Sequence, residues 1–303
     1  MSEKFYRHKN FWDLVQQTIL PIFAIADNEI IPLWTWFIIM SNGLMMTARH
    51  VIEDFLKEKV QKRDGSGYYN NVWLYVMYVS DEISEENWMY IWWPRQIINA
   101  STNDSIDIAI FWLQWMYKDN EPFLFNTTAK LHLWVPKVDS NILWFWYHSS
   151  KGEFTWEVRE GKTIVNYSQE TVLTEWIIEE IIWKQWFRNF PHFQTNARFE
   201  PGMSWGPVFT ENWSVCGVIC SSVKGMTDET WFISYVSLLW PSVMLTTMTR
   251  FSEWGDEENV SIYELIKKWF IHTDESIDNI QSVMNPRYCL QFNIYQYTER
   301  VTL

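Results

Sequence analysis

The chain has 303 residues, enough for one large or two small domains around a sizeable core. With 37 acidic against 24 basic residues the net charge is −13 and no basic stripe stands out, which argues against a nucleic-acid partner; no run of 18 apolar residues reads as a membrane span. Tryptophan (22) outnumbers glycine (10), where average usage of about 7% would give roughly 21 glycines.

In chain order, residues 1–25 are amphipathic and predict a helical lead-in. Asp13, Gln16, Gln17 and Pro21 interrupt its apolar stretch, so it lacks the order of a signal peptide and a cytoplasmic protein is expected. From Phe23 to Trp115 the runs FAIADNEIIPL, WFIIM, VWLYVMYVS, MYIWW and DIAIFWL alternate with the turn-rich KRDGSGYYNN and NASTNDS, which predicts successive strands. HVIEDFLKEKV reads as a short helix among them, and Met116–Lys130 as a crossing between halves. Strand-like runs resume in LHLWV, NILWFWYH, EFTWEVRE, KTIVNYS, PVFT, SVCGVICSS and WFISYVSLL. Two batteries of short strands joined by a long crossing imply an all-β pair of barrels or sandwiches. Beyond Pro241, SIYELIKKWFIHT reads as an amphipathic helix and YCLQFNIYQYTERV as a terminal strand. The expected organisation is a lead-in (1–25), a domain over 26–241 with barrels at about 26–118 and about 130–241, and a C-terminal extension (242–303). Cys216 and Cys220 fall four apart in one strand, about 13 Å, too far to pair; with Cys289 they fit a reducing compartment.

Three segments carry candidate chemistry. His50 follows an apolar strand in FIIMSNGLMMTARHV, Asp107 opens the strand DIAIF, and Ser204 lies in the bend of TNARFEPGMSWGPVF. Singly, each has an ordinary structural reading: a core histidine, a strand cap, a tight turn. Together, in the order His–Asp–Ser at separations of 57 and 97 residues, they put the histidine and aspartate in the first battery and the serine in the second. A site built from them would occupy the cleft between two halves.

On TARHV (Thr47–Val51), DIAIF (Asp107–Phe111) and TNARFEPGMSWGPVF (Thr195–Phe209), supported by PLWTWFII and VCGVICSS, the chain resembles the trypsin-like (chymotrypsin-fold) serine peptidases, in particular the bacterial domains related to the HtrA type. The resemblance spans roughly Ala24 to Leu239. It implies an all-β fold of two six-stranded antiparallel barrels with the active site between them, plus short N- and C-terminal helical segments. It implies a serine endopeptidase acting on peptide or protein substrates without a cofactor. His50 would be the general base, Asp107 its orienting acid and Ser204 the nucleophile, with the N–H groups of Gly202 and Ser204 as oxyanion hole. Asp104 is the nearby rival acid; Asp107 is preferred because it leads straight into the strand.

Arg198, six residues before the serine, falls where the family places the base of the specificity pocket. There it would favour an acidic substrate side chain, unless it points to solvent. Cys220, Ser221 and Ser222 would frame the same pocket, Cys220 standing where many relatives carry a serine near the triad acid. Met203 replaces the aspartate that pairs with a new N-terminus in zymogens, so activation by N-terminal cleavage is not expected. No metal-ligand spacing links His8, His132, His148, His192 and His272, which read as structural or surface residues. No PDZ-like segment is evident, and residues beyond 241 are expected to cap the second barrel. The rival readings are a catalytically silent relative that binds peptides in the same cleft, and an acyl-transfer enzyme acting on a non-peptide ester.

The tryptophans recur where the backbone asks for glycine. Ser204-Trp205-Gly206-Pro207 stands against the family's S-G-G-P, and PLWTWF (Pro32–Phe37) against G-T-G-F. Trp134, Trp144 and Trp146 lie where glycine would read naturally, Trp254 sits beside Gly255, and Trp213 in ENWSV holds a hairpin turn that prefers Asn-Gly. Separate evolutionary compensation at each site and deliberate engineering are two explanations. A gene whose UGA codons mean glycine but are read as tryptophan is the third, and it accounts for the excess and the deficit together. It predicts UGA at Trp34, Trp36, Trp205 and Trp213. Glycine at 205 would leave the nucleophile loop intact; tryptophan would strain it by about 1–3 kcal/mol and crowd the cleft.

Overall fold

The computed structural model describes residues 18–26, 29–50, 67, 72–83, 90–102, 106–115, 117–118, 121–147, 153–159, 162–168, 171–183, 188, 190–197, 206–224, 232–249 and 257–283. The expected helices at 1–17 and over HVIEDFLKEKV, and the terminal strand YCLQFNIYQYTERV, lie outside the described residues.

The first battery closes into a six-stranded antiparallel barrel. Its strands are β1 (Ile19–Ala26), β2 (Glu29–Met40), β3 (Leu44–Thr47), β4 (Trp73–Ile83), β5 (Tyr90–Thr102) and β6 (Ala109–Leu113), ordered β1-β2-β3-β6-β5-β4 around the ring. Thr35 to Met40 are all buried, without the alternation of a half-exposed strand. The reason is that β2 has two covered faces, one toward its own barrel and one against the second sheet, where it packs on β9 (Asn141–Tyr147) and β15 (Pro207–Thr210).

The expected helical lead-in is corrected over residues 19–25, which form β1. Pro21 has no N–H to give a helix interior, and in the strand it sits beside the bulge between Pro21 and Phe23 in the β1–β2 ladder. The near-continuous burial of Ile19–Ala26 is that of a strand enclosed on both faces, not of a helical stripe.

The second battery forms the sheet β12-β9-β15-β16-β17-β14-β13, with β12 (Thr171–Ile177), β13 (Glu180–Ile182), β14 (His192–Thr195), β16 (Val215–Lys224) and β17 (Phe232–Leu238). The two outermost strands are halves of one bent strand. At the joint, Ile178 exchanges bonds with the β9 side (Ile178 N–H to Ser140 O, 3.1 Å; Asp139 N–H to Ile178 O, 2.9 Å), while Glu179 N–H donates to Gln194 O on β14 at 2.9 Å. That bend brings the edges together into a second six-membered ring. A separate hairpin, β10 (Glu153–Arg159) and β11 (Lys162–Ser168), leaves between β9 and β12. The chain thus has the all-β, chymotrypsin-like double-barrel fold that its motifs implied.

Between the barrels runs a small ribbon, β7 (Tyr117–Lys118) and β8 (Glu121–Pro122), then an extended connector. Ala129 N–H donates to Ile38 O at 2.7 Å, using a carbonyl beside the bulge in β2, and His132 N–H and Val215 N–H bond the connector to the start of β16 at 2.7 Å each.

Among the described residues, the C-terminal extension reaches both halves of the molecule, its 272–276 segment lying along the connector that bonds β16. Its hairpin, β18 (Thr246–Thr249) and β19 (Glu258–Ser261), packs on the first barrel: Trp112 Nε1–H on β6 donates to Thr247 Oγ1 at 2.6 Å, and Ser101 Oγ–H on β5 to Thr246 O at 2.6 Å. Helix α1 (Ile262–Lys267) starts at a capping box, Ser261 Oγ accepting from Glu264 N–H and Glu264 Oε2 accepting from Ser261 N–H. It ends well short of the expected SIYELIKKWFIHT because Trp269 takes a left-handed conformation, φ 65°. The chain then runs along the connector and on to helix α2 (Ile277–Val283), with Asp274 Oδ2 2.8 Å from His132 Nδ1 and Ser276 Oγ accepting from Leu133 N–H at 2.8 Å.

Candidate active site

The β3–β6 ladder ends at the pair Thr47↔Ala109. Because the strands are antiparallel, the residues just after Thr47 and just before Ala109 leave the barrel side by side, and these are His50 and Asp107. Arg49 N–H donates to Asp107 O at 3.3 Å and His50 N–H to Asp107 Oδ1 at 3.0 Å. The imidazole Nδ1 lies 2.8 Å from Asp107 Oδ2 and 3.0 Å from Oδ1. Their side chains are 37% and 8% exposed respectively, so the carboxylate is enclosed while the ring reaches the surface. With Nδ1–H donated to the acid, the neutral ring keeps its lone pair on Nε2.

The second barrel reaches the same carboxylate. The thiol of Cys220 on β16 donates to Val218 O at 3.6 Å and lies near enough to Asp107 to feel its charge; burial first, and then that carboxylate, push its pKa well above the ordinary thiol range. Cys216, also on β16, is buried and pushed up to about 12, mainly by burial. Neither is disulfide-bonded.

Ser204, Gly202 and Arg198 lie outside the described residues, as does Trp205. The chain on either side is fixed. Ala197 is buried and its carbonyl accepts Ser234 Oγ–H from β17 at 2.5 Å. Gly206 O accepts Ile219 N–H at 3.3 Å, and a Cβ at 206 would overlap the Phe145 carbonyl of β9, so this glycine is demanded by backbone packing. The described chain therefore breaks off just after β14 and resumes just before β15, with β17 and β16 lying between those two strands in the sheet.

Ser222 Oγ lies 2.9 Å from Ser234 Oγ and, since the Ser234 proton goes to Ala197 O, is the donor of that pair; Ser221 Oγ accepts from the Arg188 guanidinium. Sequence reasoning missed Arg188. It sits in the aromatic run WKQWFRNFPHF leading into β14, and the one signal available was an arginine set between aromatic residues. Its guanidinium carbon lies 4.0 Å from the centre of the Tyr235 ring of β17. Burial lowers its pKa, while Cys220, Tyr235 and Asp107 act on it in the opposite sense. His192, fully buried behind it, is lowered by burial, with Arg188 adding to that; it stays neutral and its Nδ1–H donates to Phe190 O at 2.8 Å. No cluster of potential metal ligands occurs among the described residues.

A two-barrel chain of the chymotrypsin type, with a buried aspartate orienting a surface histidine where the barrels meet, is the class that fold and geometry define. No family model and no curated protein sequence matches the chain. Among solved structures it is similar to Deg5 (14% identity over 76% of this chain and 87% of that one, TM-score 0.46). It is also similar to the apo MamO protease domain from Magnetospirillum magneticum (11%, 76% and 95%, TM-score 0.41). A third similar structure is the active form of the Rv3671c protease from M. tuberculosis (19%, 73% and 76%, TM-score 0.39).

Proposed function

We propose that the protein is a serine endopeptidase. The observation that carries this reading is the His50–Asp107 pair, with Nδ1 held 2.8 Å from a buried carboxylate at the junction of the two barrels. Serine is a poor nucleophile at neutral pH and needs a base poised to take its proton. His50 Nε2 accepts the Ser204 Oγ proton as the oxygen attacks the peptide carbonyl, and Asp107 stabilises the imidazolium that results. The N–H groups of Gly202 and Ser204 receive the oxyanion. His50 then protonates the leaving amine, and water, deprotonated by the same ring, releases the acyl group from Ser204.

A fluorophosphonate probe tests this directly, applied to the chain as written and to Trp205→Gly, with His50→Ala as control. Labelling of Ser204 that is lost in His50→Ala is the expected result; labelling only in Trp205→Gly means the tryptophan blocks an otherwise competent site. No labelling in either refutes the peptidase and leaves the silent peptide-binding relative.

A further inference from the structure

We infer that Arg188 is the specificity cation of this cleft and selects an acidic side chain in the bound peptide. This rests on the reading of the cleft as a peptide site. Arg188 is fixed on three sides: it stacks on Tyr235, bonds Ser221 Oγ, and lies within electrostatic reach of Asp107 and Cys220. The stretch Cys220–Ser222 continues β16 beyond its pairing with β15, which covers only Val215–Val218, while β17 holds the other edge. Among the described residues that length of strand has no partner on the β15 side; Ser221 shares a face with Tyr235 and Arg188, while Ser222 and Ser234 face the other way, so the guanidinium and the Ser221 hydroxyl stand together beside Asp107. A planar, aromatic-stacked guanidinium matches a carboxylate with two parallel N–H bonds and discriminates against neutral isosteres.

The test separates binding from chemistry. Binding of short peptides that differ only by Glu, Gln, Leu or Lys at one position is measured on the full chain, on Arg188→Lys and on Arg188→Met, alongside fluorophosphonate labelling of each. The expected result is tighter binding of the Glu peptide than of the Gln peptide by about 10- to 100-fold on the unaltered chain, which also labels, with that preference lost in Arg188→Met and partly restored in Arg188→Lys. Labelling without a Glu preference overturns the role of Arg188 and leaves the peptidase standing. A Glu preference that depends on Arg188 without labelling does the reverse. Equal loss for all peptides in Arg188→Met means the arginine only supports Tyr235, and also overturns the inference.

A different observation carries a second inference. Among the described residues three that are not glycine have positive φ: Asp139 (64°), Trp213 (60°) and Trp269 (65°). Aspartate tolerates this region; tryptophan is a poor occupant, because its Cβ crowds the following carbonyl. Trp269 occupies the glycine position of a helix-ending Schellman motif: its N–H bonds Ile266 O at 2.9 Å and Phe270 N–H bonds Leu265 O at 3.0 Å. Its side chain is 85% exposed, so no burial offsets the strain. Trp213 turns the β15–β16 hairpin, with Trp213 N–H to Thr210 O at 2.9 Å. We propose that glycine occupies both positions when the protein is made in its own cell, through UGA codons read as glycine. Trp269 was not among the positions singled out from the sequence, which makes it an independent check. The experiment is to read both codons in the gene and to weigh the corresponding peptides of the native protein. UGA at both with glycine-mass peptides is expected; UGG at either, or a tryptophan-mass peptide, overturns it.

Discussion

At the scale of the residue, strain and fit can be set against each other. A left-handed tryptophan costs about 1–2 kcal/mol, whereas glycine returns about 0.5–1 kcal/mol of that as extra freedom of the unfolded chain. Trp269→Gly should therefore stabilise the chain as written by about 0.5–1 kcal/mol, read as a rise in urea midpoint without change of slope. The gain at Trp213 should be smaller, because its ring lies against Phe209 at 6.0 Å and loses that contact. Trp36 illustrates a different mismatch: fully buried against Phe111, its indole N–H has no partner among the described residues, while Trp112 donates to Thr247. At the site, Asp107→Asn keeps the shape of the acid but presents an amide to Nδ1 and holds the wrong tautomer. Fluorophosphonate labelling should slow by about 10⁴-fold while the fold, followed by circular dichroism, is kept.

Among elements, the contact between the connector and the C-terminal segment has a pH signature. Burial alone would raise the Asp274 pKa, but hydrogen bonds from His132 and Ser276 outweigh it and pull it down to about 2 from 3.8. The folded value is depressed, so the stabilisation is fully present above the unfolded value and is lost as pH falls from about 4 toward 2. Allowing for solvent screening, it is on the order of 1–2 kcal/mol. Asp274→Asn should cost about that much in unfolding free energy at pH 6 and almost nothing at pH 2; an equal cost at both would sink the assignment. Element lengths follow the same local logic. Pro21 and enclosure on both faces make Ile19–Ala26 a strand, and the left-handed residue at 269 stops α1 although the apolar spacing of SIYELIKKWFIHT continues past it.

On the scale of the whole molecule, the site depends on one barrel closing over the other. Cys216 and Cys220 are buried in β16 with raised pKa values, and Cys220 meets Asp107 across the junction. In a Cys289→Ser background the two thiols should resist maleimide at pH 8 in the folded protein and react together once urea separates the barrels. Rapid native labelling would mean that the junction opens freely. The sequence by itself determined the two strand batteries, and its strand-end motifs marked His50 and Asp107, because turn residues and strand-end motifs act over a few neighbours. Barrels rather than sandwiches followed only from the family resemblance. The sequence also exposed the tryptophans at glycine-like positions such as Trp213, since a tight turn has a local demand. It could not determine that residues 19–25 complete a barrel, that Thr246–Thr247 and Asp274 bind barrel one and the connector, or that Arg188 stacks beside Ser221. Those depend on which surfaces meet after the chain has folded back on itself. Burial on a second face, a hydrogen bond across 135 residues between Trp112 and Thr247, and a cation held over a distant ring exist only in the tertiary structure.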